Sequence, residues 1–488
     1  MSELTIFAIG DVHLGMRPGS LPEGLDQEGV DPQALTPEAA LLAAVEHAIE
    51  LRVDVVVFTG DVVESTNARF EALRPLEKAV RQLLAAKIPV VAVAGNHDVE
   101  ALPRLAGMID GFELLGAGGH WQSRVVENAA GIGVELVGWS FPERQVRASP
   151  IDSLLRDPDR VIQNSGSRAR GLPRIGLLHA DLDASGGHYA PITSRELNES
   201  GLDAWLLGHI HQPSLPEGRP AGGRLLAGYL GSLVGLDPSE LGPRGPWLIR
   251  VRADGVIETE HLPMAPLRWE HFEVRVEEHE RAEDLGDRLL AELLRVGREF
   301  ETRGQAPRVL GVRPILRGAT RHYEELRLGV RQGRWRGLKR YAGQTLVFVD
   351  KVLDQLELAH DLDQLALGDD PAALMARQLC TLREPGEARS RLLREARGAL
   401  RGLARDSRWL PLDQERNAQD PLAEDTALAA LLTRAGTETL NTLLEQRASS
   451  AEGGAGIDGV AGISGAAGIS GAAGISGAAG AAPEAGGS

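Results

Sequence analysis

Short apolar runs that end at a glycine recur through the first part of the chain. Residues 4–9, 53–59 and 88–94 are rich in β-branched side chains, and each run is followed by glycine and then by a polar residue. Such runs are typical of buried strands, with polar groups at their carboxyl ends. Further strands are predicted at 134–139, 175–178, 204–207 and 247–251, and around 228–232.

Helical patterns alternate with these strands. Thr36 and Pro37 are suited to a helix start, and apolar residues follow at helical spacing from Leu41 to Ile49. A second helix is predicted over residues 67–86. Strand–helix alternation predicts βαβ units in an α/β domain, whose ligands gather beyond the carboxyl ends of the strands.

The pattern changes after Pro266. Strands are predicted at 269–276 and 309–316, a helix at 282–296, and a strand or a helix at 345–356, which together indicate a smaller α+β domain. Residues 387–447 have a helical composition. After Ser449 a six-residue Gly/Ala/Ile/Ser repeat predicts a disordered tail. The expected division is therefore 1–266, 267–385, 386–448 and 449–488.

Composition limits the function classes. The 488 residues are 43% apolar and carry a net charge of -17, so a surface uniformly basic for nucleic acid is excluded and any such contact must be local. The single cysteine excludes an internal disulfide and fits a reducing compartment. The start of the chain has no signal-peptide pattern, and no apolar run reaches membrane-spanning length. We therefore expect a cytoplasmic enzyme with no membrane partner.

The polar groups behind the strands carry the chemistry. They form five blocks in chain order: Gly10-Asp11-Val12-His13, Gly60-Asp61, Gly95-Asn96-His97-Asp98, His179, and Gly208-His209-Ile210-His211. Carboxylates together with imidazoles suit a pair of divalent transition ions, which indicates metal-assisted phosphoester cleavage. A lone histidine such as His179 is equally compatible with a hydrogen-bonded core residue, whereas the ordered set favours a metal site.

These blocks resemble the calcineurin-like metallophosphoesterase superfamily. Within it the chain is similar to the SbcD-type double-strand-break repair exonucleases of the YhaO-like branch, on the runs Asp11-Val12-His13-Leu14-Gly15, His188-Tyr189-Ala190-Pro191 and Gly231-Ser232-Leu233. The resemblance implies an α/β fold, a four-layer αββα sandwich, with a smaller α+β capping domain over 267–385 and a helical C-terminal region. It also implies a homodimer.

The resemblance implies two metal ions, with manganese expected and iron, zinc or magnesium left open. The two implied ligand sets share one carboxylate: Asp11, His13, Asp61 and His211 for one ion, and Asp61, Asn96, His179 and His209 for the other. His97 is expected to protonate the departing oxygen. Asp98 is expected either to orient His97 or to cap a loop. Related nucleases often have a histidine where this chain has Glu64, which is expected to repel phosphate.

An arginine-rich stretch lies in the predicted capping domain. Its candidate DNA contacts are Arg313, Arg317, Arg334, Arg336 and Arg340, and the alternative is a solvated face on which arginines pair with carboxylates. Seven more arginines between Arg389 and Arg408 flank an apolar stripe. The resemblance suggests that this helix docks on an SbcC-like coiled-coil ATPase, and the alternative is a helix packed on its own domain.

The sequence thus predicts a two-metal phosphodiesterase, foremost a DNA exonuclease in repair or end processing. One alternative is a phosphodiesterase or phosphatase acting on a nucleotide or a phosphoprotein. The other is a scaffold that kept the fold without catalysis. The basic stretch favours nucleic acid, and the complete ligand set favours an enzyme.

Overall fold

The computed structural model describes residues 3–64, 69–156, 171–184, 186–219, 225–404 and 424–454. Its contacts divide the chain into two compact units, residues 1–359 and 360–488. The finer division at residues 266, 385 and 448 stays a prediction.

One sheet of the first unit contains the first four strands and two later ones. These are β1 (Glu3–Ile9), β2 (Val55–Thr59), β3 (Val90–Val93), β4 (Phe112–Leu114), β10 (Trp247–Arg252) and β11 (Ile257–His261). Their order is β11-β10-β1-β2-β3-β4. Strands β1 to β4 run parallel, and β10 pairs antiparallel with both β1 and β11.

A second sheet contains the five strands between them in sequence. These are β5 (Trp121–Glu127), β6 (Gly133–Trp139), β7 (Arg174–His179), β8 (Ala204–Gly208) and β9 (Leu226–Tyr229), in that order across the sheet. Strands β6 to β9 run parallel, and β5 pairs antiparallel with β6.

The two sheets face each other across one apolar core. Leu4 and Ile6 of β1 pack there with Leu136 and Ile175 of the second sheet. Phe7, the neighbour of Ile6, belongs instead to the core on the outer face of the first sheet. The outer face of the first sheet is covered by α1 (Pro37–Leu51), α2 (Arg69–Ala85) and α3 (Ala101–Met108), and that of the second by α4 (Ile151–Arg156) and α5 (Ser194–Glu199). The predicted four-layer αββα sandwich is confirmed.

The capping part, residues 267–359, is built on a third sheet. Its strands are β12 (Leu267–Arg275), β13 (Val309–Thr320), β14 (Lys339–Ala342), β15 (Thr345–Val349) and β16 (Leu353–Leu358), with helices α6 (Ala282–Thr302) and α7 (Tyr323–Arg331). The long β13 pairs with β12 along one edge and with β15 and then β16 along the other. The stretch at 345–356, expected as strand or helix, is two strands. Trp269 is buried in the core beneath the first sheet and fixes the cap to it.

The second unit is helical. Its helices are α8 (Leu362–Leu365), α9 (Pro371–Arg383), α10 (Glu387–Ala404) and α11 (Asp425–Gly454). Leu379, Leu393, Leu428 and Leu440 are buried in their shared core. Helix α11 continues through the first residues of the predicted tail, and residues 455–488 lie outside the described part. Over the described residues, no helix combines the length and apolarity needed to cross a membrane.

Candidate metal centre

The seven predicted ligands lie at strand ends. Asp11 and His13 follow β1, Asp61 follows β2, Asn96 follows β3, His179 ends β7, and His209 and His211 follow β8. The two sheets approach each other at this edge, where His179 Nδ1 lies 3.2 Å from the carbonyl oxygen of Thr59. Loops from both sheets therefore deliver their polar side chains to one place, as expected for parallel strands.

One group of ligands gathers around His13. Ligand atoms of Asp11, His13 and His211 lie within 4.8 Å of one another. His13 Nε2 is 3.0 Å from His211 Nε2, and Asp61 Oδ2 is 3.9 Å from His13 Nε2. The members match the first ligand set that the resemblance implies.

A second group gathers around His179. Ligand atoms of Asp61, His179 and His209 also lie within 4.8 Å of one another. His179 Nε2 is 3.3 Å from Asp61 Oδ2 and 2.9 Å from Asn96 Oδ1. The Oδ2 atom of Asp61 thus faces both groups, which is where a shared ligand of two ions would be placed.

The residues present fit a pair of cations. Asp11 Oδ2 is buried and makes no hydrogen bond with any described group, although a buried carboxylate oxygen normally has a partner. The Nε2 atoms of His13 and His211 lie 3.0 Å apart, a distance at which both could bind one metal ion. Carboxylate, amide and imidazole donors together suit divalent ions of the manganese, iron and zinc type.

The backbone at the centre is strained. His13, Asp61 and His209 have positive φ angles of 53°, 49° and 107°, a region that non-glycine residues seldom occupy. The carbonyl oxygen of Asp61 accepts hydrogen bonds from the amides of Val12 and His13, which holds these loops in place. At Gly95 a Cβ atom would lie 2.3 Å from Asp61 Oδ1, so this close approach requires glycine. Such strain is concentrated at functional sites.

Comparison with known families decides the class of this domain. Residues 4–213 match the sequence profile of the family "Calcineurin-like phosphoesterase". They form a calcineurin-like phosphoesterase domain. The metallophosphoesterase resemblance predicted from the motifs is confirmed, and the matched segment includes all seven predicted ligands.

Two curated relatives are similar to about half of this chain. The uncharacterized metallophosphoesterase YhaO of Bacillus subtilis (strain 168) is 28% identical over 247 residues, which cover 49% of this chain and 55% of the relative. The DNA double-strand break repair protein Mre11 of Aeropyrum pernix is 26% identical over 270 residues, which cover 54% of this chain and 61% of the relative. The chain thus spans little more than half the length of each relative.

A dimetal phosphatase from Danio rerio is similar to this chain among solved structures. The identity is 13%, the TM-score is 0.32, and the match covers 52% of this chain and 98% of that one.

Charge interactions in the phosphoesterase domain are strong. Burial alone would lower the pKa of His179, but the charge of Asp61 and a hydrogen bond to it outweigh burial and raise the pKa to about 9. The same pairing holds the pKa of Asp61 well below its usual range, against the effect of burial. Burial and the charge on His179 lower the pKa of His209. The centre therefore concentrates negative charge that protons or metal ions neutralise.

Two carboxylates behind the histidines were not found from the sequence. Glu240 Oε1 is 2.6 Å from His211 Nδ1, and Asp181 Oδ1 is 2.9 Å from His209 Nε2. These contacts leave His211 Nε2 and His209 Nδ1 for metal ions, because a carboxylate on one ring nitrogen orients the other. Asp181 follows His179 by two residues, so its closeness to a motif residue could have identified it from the sequence. Glu240 is 29 residues from His211 and belongs to none of the five motif blocks.

His97 is exposed and pairs with Glu64. Glu64 Oε2 lies 2.9 Å from His97 Nδ1 and 3.4 Å from His13 Nδ1. Asp98 is fully buried, and its two carboxylate oxygens accept the amides of Gly95 and Val62, each at 2.7 Å. Of the two roles expected for Asp98, orienting His97 or capping a loop, its contacts match the capping of a loop. Glu64, expected to repel phosphate, has its carboxylate directed at two imidazoles.

The cap arginines fall into two classes. Arg313 pairs with Asp350 at 2.6 Å and Arg317 with Glu273 at 2.5 Å. Arg334, Arg336 and Arg340 are exposed, and none of them forms an ion pair with any described residue. The alternative to DNA contact was a face on which arginines pair with carboxylates. It describes Arg313 and Arg317 only.

Proposed function

We propose that this chain is a two-metal phosphodiesterase that cleaves DNA, as an exonuclease in repair or end processing. The observation that carries the proposal is the convergence of seven side chains from five loops, with Asp61 Oδ2 between two clusters of imidazoles. The family match supports phosphoester hydrolysis, and the similarity to the DNA double-strand break repair protein of Aeropyrum pernix supports DNA repair.

The ligand residues would hold two divalent ions, with manganese expected, and these ions supply an activated water and neutralise charge on the phosphoryl oxygens. His97 is the proposed proton donor. Its Nδ1 is engaged by Glu64, so Nε2 is the nitrogen that can give a proton to the departing oxygen. The exposure of His97 matches a role at the surface where substrate enters.

DNA is proposed as the substrate because of the unpaired cap arginines. Arg334, Arg336 and Arg340 are on or beside β14, in a chain with a net charge of -17, and unpaired guanidinium groups bind backbone phosphates. Arg313 and Arg317 stay predicted DNA contacts. Each would first have to leave its carboxylate partner before it could bind a phosphate.

The partner proposals concern the second unit and the whole chain. Leu393 of α10 is buried in the core of its own unit, as expected of an ordinary packed helix. Docking on an SbcC-like coiled-coil ATPase would therefore use the arginine-bearing face of α10. A homodimer is proposed on the resemblance alone.

One assay tests the proposed activity. End-labelled single-stranded and duplex DNA are incubated with manganese and the wild type, His97→Ala, or a triple variant with glutamine at Arg334, Arg336 and Arg340. We expect cleavage by the wild type, little by His97→Ala, and slower cleavage by the triple variant, because its contacts to DNA phosphates are lost.

Other outcomes separate the alternatives. Hydrolysis of bis(p-nitrophenyl) phosphate with intact DNA would contradict the nuclease and leave a phosphodiesterase or phosphatase acting on a nucleotide or a phosphoprotein. Purified protein that binds no metal and cleaves neither substrate would contradict catalysis altogether and leave the scaffold.

A further inference from the structure

A cation-lined cavity lies between the cap and a loop of the phosphoesterase domain. Its volume is about 340 Å³, and its lining includes Ser20, Arg313, Arg331, Arg336, Asp350 and Lys351. This volume is at the lower end of the range for small-molecule sites. None of the seven predicted metal ligands is among the described residues that line it.

The charges in the cavity are unbalanced. Among the described residues that line it are four cationic residues and one carboxylate, Asp350, and that carboxylate is already paired with Arg313 at 2.6 Å. Arg331, Arg336 and Lys351 form no ion pair with any residue in the described part of the chain. Elsewhere on the cap, Arg321 pairs with Glu278. Unpaired cations in a concave surface of an acidic protein indicate an anion site.

The negatively charged groups near the cavity do not neutralise its excess of positive charge. A neighbouring cavity of about 450 Å³ shares Ser20, Arg336 and Asp350 and adds the exposed Glu23. Asp237 is also nearby: hydrogen bonds from Ser239 lower its pKa, and the charges of Arg313 and Lys351 lower it further. Asp237 is itself bonded to Ser239, at 2.8 Å from its amide, so it is committed to its own turn.

The backbone around the cavity is fixed before any ligand binds. The amides of Arg334 and Arg336 donate to the carbonyl oxygens of Gly329 and Gly333, at 2.9 and 3.0 Å, and Gly337 N donates to Val349 O at 2.8 Å. Trp335, between them, is 3% exposed. The loop that presents Arg336 is therefore preorganised, which lowers the entropic cost of binding.

The cavity also adjoins the loop that supports the metal centre. Gly19, next to Ser20, donates its amide to the carbonyl of Leu236 at 2.8 Å, and the amide of Leu236 donates to Glu240 Oε2 at 2.8 Å. Glu240 in turn holds His211. The wall of the cavity and the support of one predicted ligand thus belong to one bonded network.

We propose that this cavity binds a phosphate group, separately from the metal centre. Guanidinium groups and an ammonium group are the donors that recognise phosphate oxygens, and three of them here form no ion pair with a described carboxylate. The phosphate belongs either to a nucleotide or to free inorganic phosphate. The site does not depend on the proposed nuclease activity.

Binding in the absence of metal tests this site. The full chain is titrated in EDTA with inorganic phosphate, deoxyadenosine monophosphate or deoxyadenosine, and heat is measured by calorimetry. EDTA removes phosphate binding through divalent ions, so the signal reports on the cavity. We expect saturable binding of both phosphates and none of deoxyadenosine. Tighter binding of the monophosphate would identify a nucleotide as the source, and equal binding would identify free phosphate.

Variants connect the binding to the named residues. Arg336→Gln and Lys351→Gln remove exposed cations and should each weaken phosphate binding by about tenfold, the loss typical of one charged hydrogen bond. Arg298→Gln removes an exposed arginine from α6 that lines a different surface and should leave binding unchanged. Circular dichroism shows that each variant is folded.

Three results would overturn the site. They are absence of saturable phosphate binding, equal binding of deoxyadenosine and its monophosphate, and affinities of Arg336→Gln and Lys351→Gln that equal that of Arg298→Gln. Hydrolysis of bis(p-nitrophenyl) phosphate, measured in parallel with manganese, tests the proposed activity independently.

Discussion

Glu64 Oε2 lies 2.9 Å from His97 Nδ1, which joins a nearly buried carboxylate to the exposed imidazole at the edge of the metal centre. The contact at Nδ1 leaves Nε2 as the ring nitrogen available for the proposed proton transfer. We therefore expect Glu64 to position His97, whereas the sequence predicts that its charge repels phosphate.

Glu64→Gln should lower kcat for a small phosphodiester by about tenfold to a hundredfold, with little change in KM, because an unoriented proton donor loses part of its contribution. His97→Ala should lower kcat at least as much. In the His97→Ala background, Glu64→Gln should have no further effect. Bound metal is measured for each protein, since Glu64 also lies 3.4 Å from His13. Additive losses in the double variant would contradict the pairing.

The carboxylates behind the histidines should control metal affinity. Glu240→Gln and Asp181→Asn remove the charges that orient His211 and His209, and each should weaken metal binding by about tenfold to a hundredfold. Calorimetric titration with manganese measures the change. Glu260→Gln is the matched control, because Glu260 pairs with Arg250 on the sheet edge. If all three variants bind manganese equally, these carboxylates do not support the ions.

The convergence of the predicted ligands could be foreseen from the sequence because each one ends or follows a strand. A buried apolar run ending in glycine identifies the carboxyl end of a strand, and parallel strands bring those ends together. Asp11, Asp61 and His179 are therefore found from local patterns. Glu240 approaches His211 from a loop 29 residues later, and only the folded chain shows that contact.

The α/β class was predictable from the alternation of strands and helices along the chain, and the four-layer arrangement was predictable through the family resemblance. Two features were not. The stretch at 345–356 is short and apolar, so strand and helix could not be separated by periodicity; it is two strands. The roles of the cap arginines depend on which carboxylates fold beside them, as Glu273 does beside Arg317, and such contacts have no sequence pattern.

The pairing of cap arginines predicts how DNA binding depends on salt. Replacing Arg334, Arg336 and Arg340 with glutamine should reduce the salt slope of single-stranded DNA binding by about 2, at roughly 0.7 for each lost phosphate contact. The matched triple variant replaces Arg288, Arg321 and Arg327, which are paired with Glu280, Glu278 and Asp354. Its slope should stay near that of the wild type. Fluorescence anisotropy at several salt concentrations measures both, and equal slopes would exclude a special role for the unpaired arginines.

His261 predicts a pH dependence of stability. Its ring stacks on Trp247 with centroids 4.7 Å apart, and burial, helped by the charges of Arg244 and Arg268, lowers its pKa to about 4. The unfolded chain takes up this proton near the ordinary value of 6.5, whereas the folded chain takes it up only near 4. This contribution to stability is therefore complete above about pH 6.5 and declines as the pH falls towards 4.

His261→Gln cannot take up that proton. Between about pH 7.5 and about pH 5, the variant should lose about 2 kcal/mol less free energy of unfolding than the wild type. Urea denaturation followed by tryptophan fluorescence gives both values, and only the change with pH is compared, so the variant's own stability does not enter. Parallel pH profiles would show that His261 titrates normally in the folded chain.

The two-ion centre is tested most directly by anomalous diffraction from crystals grown with manganese. We predict two peaks about 3.5 to 4 Å apart, with Asp61 ligating both ions. The first should be held also by Asp11, His13 and His211, and the second by Asn96, His179 and His209. A single peak, or peaks away from Asp61, would contradict the account.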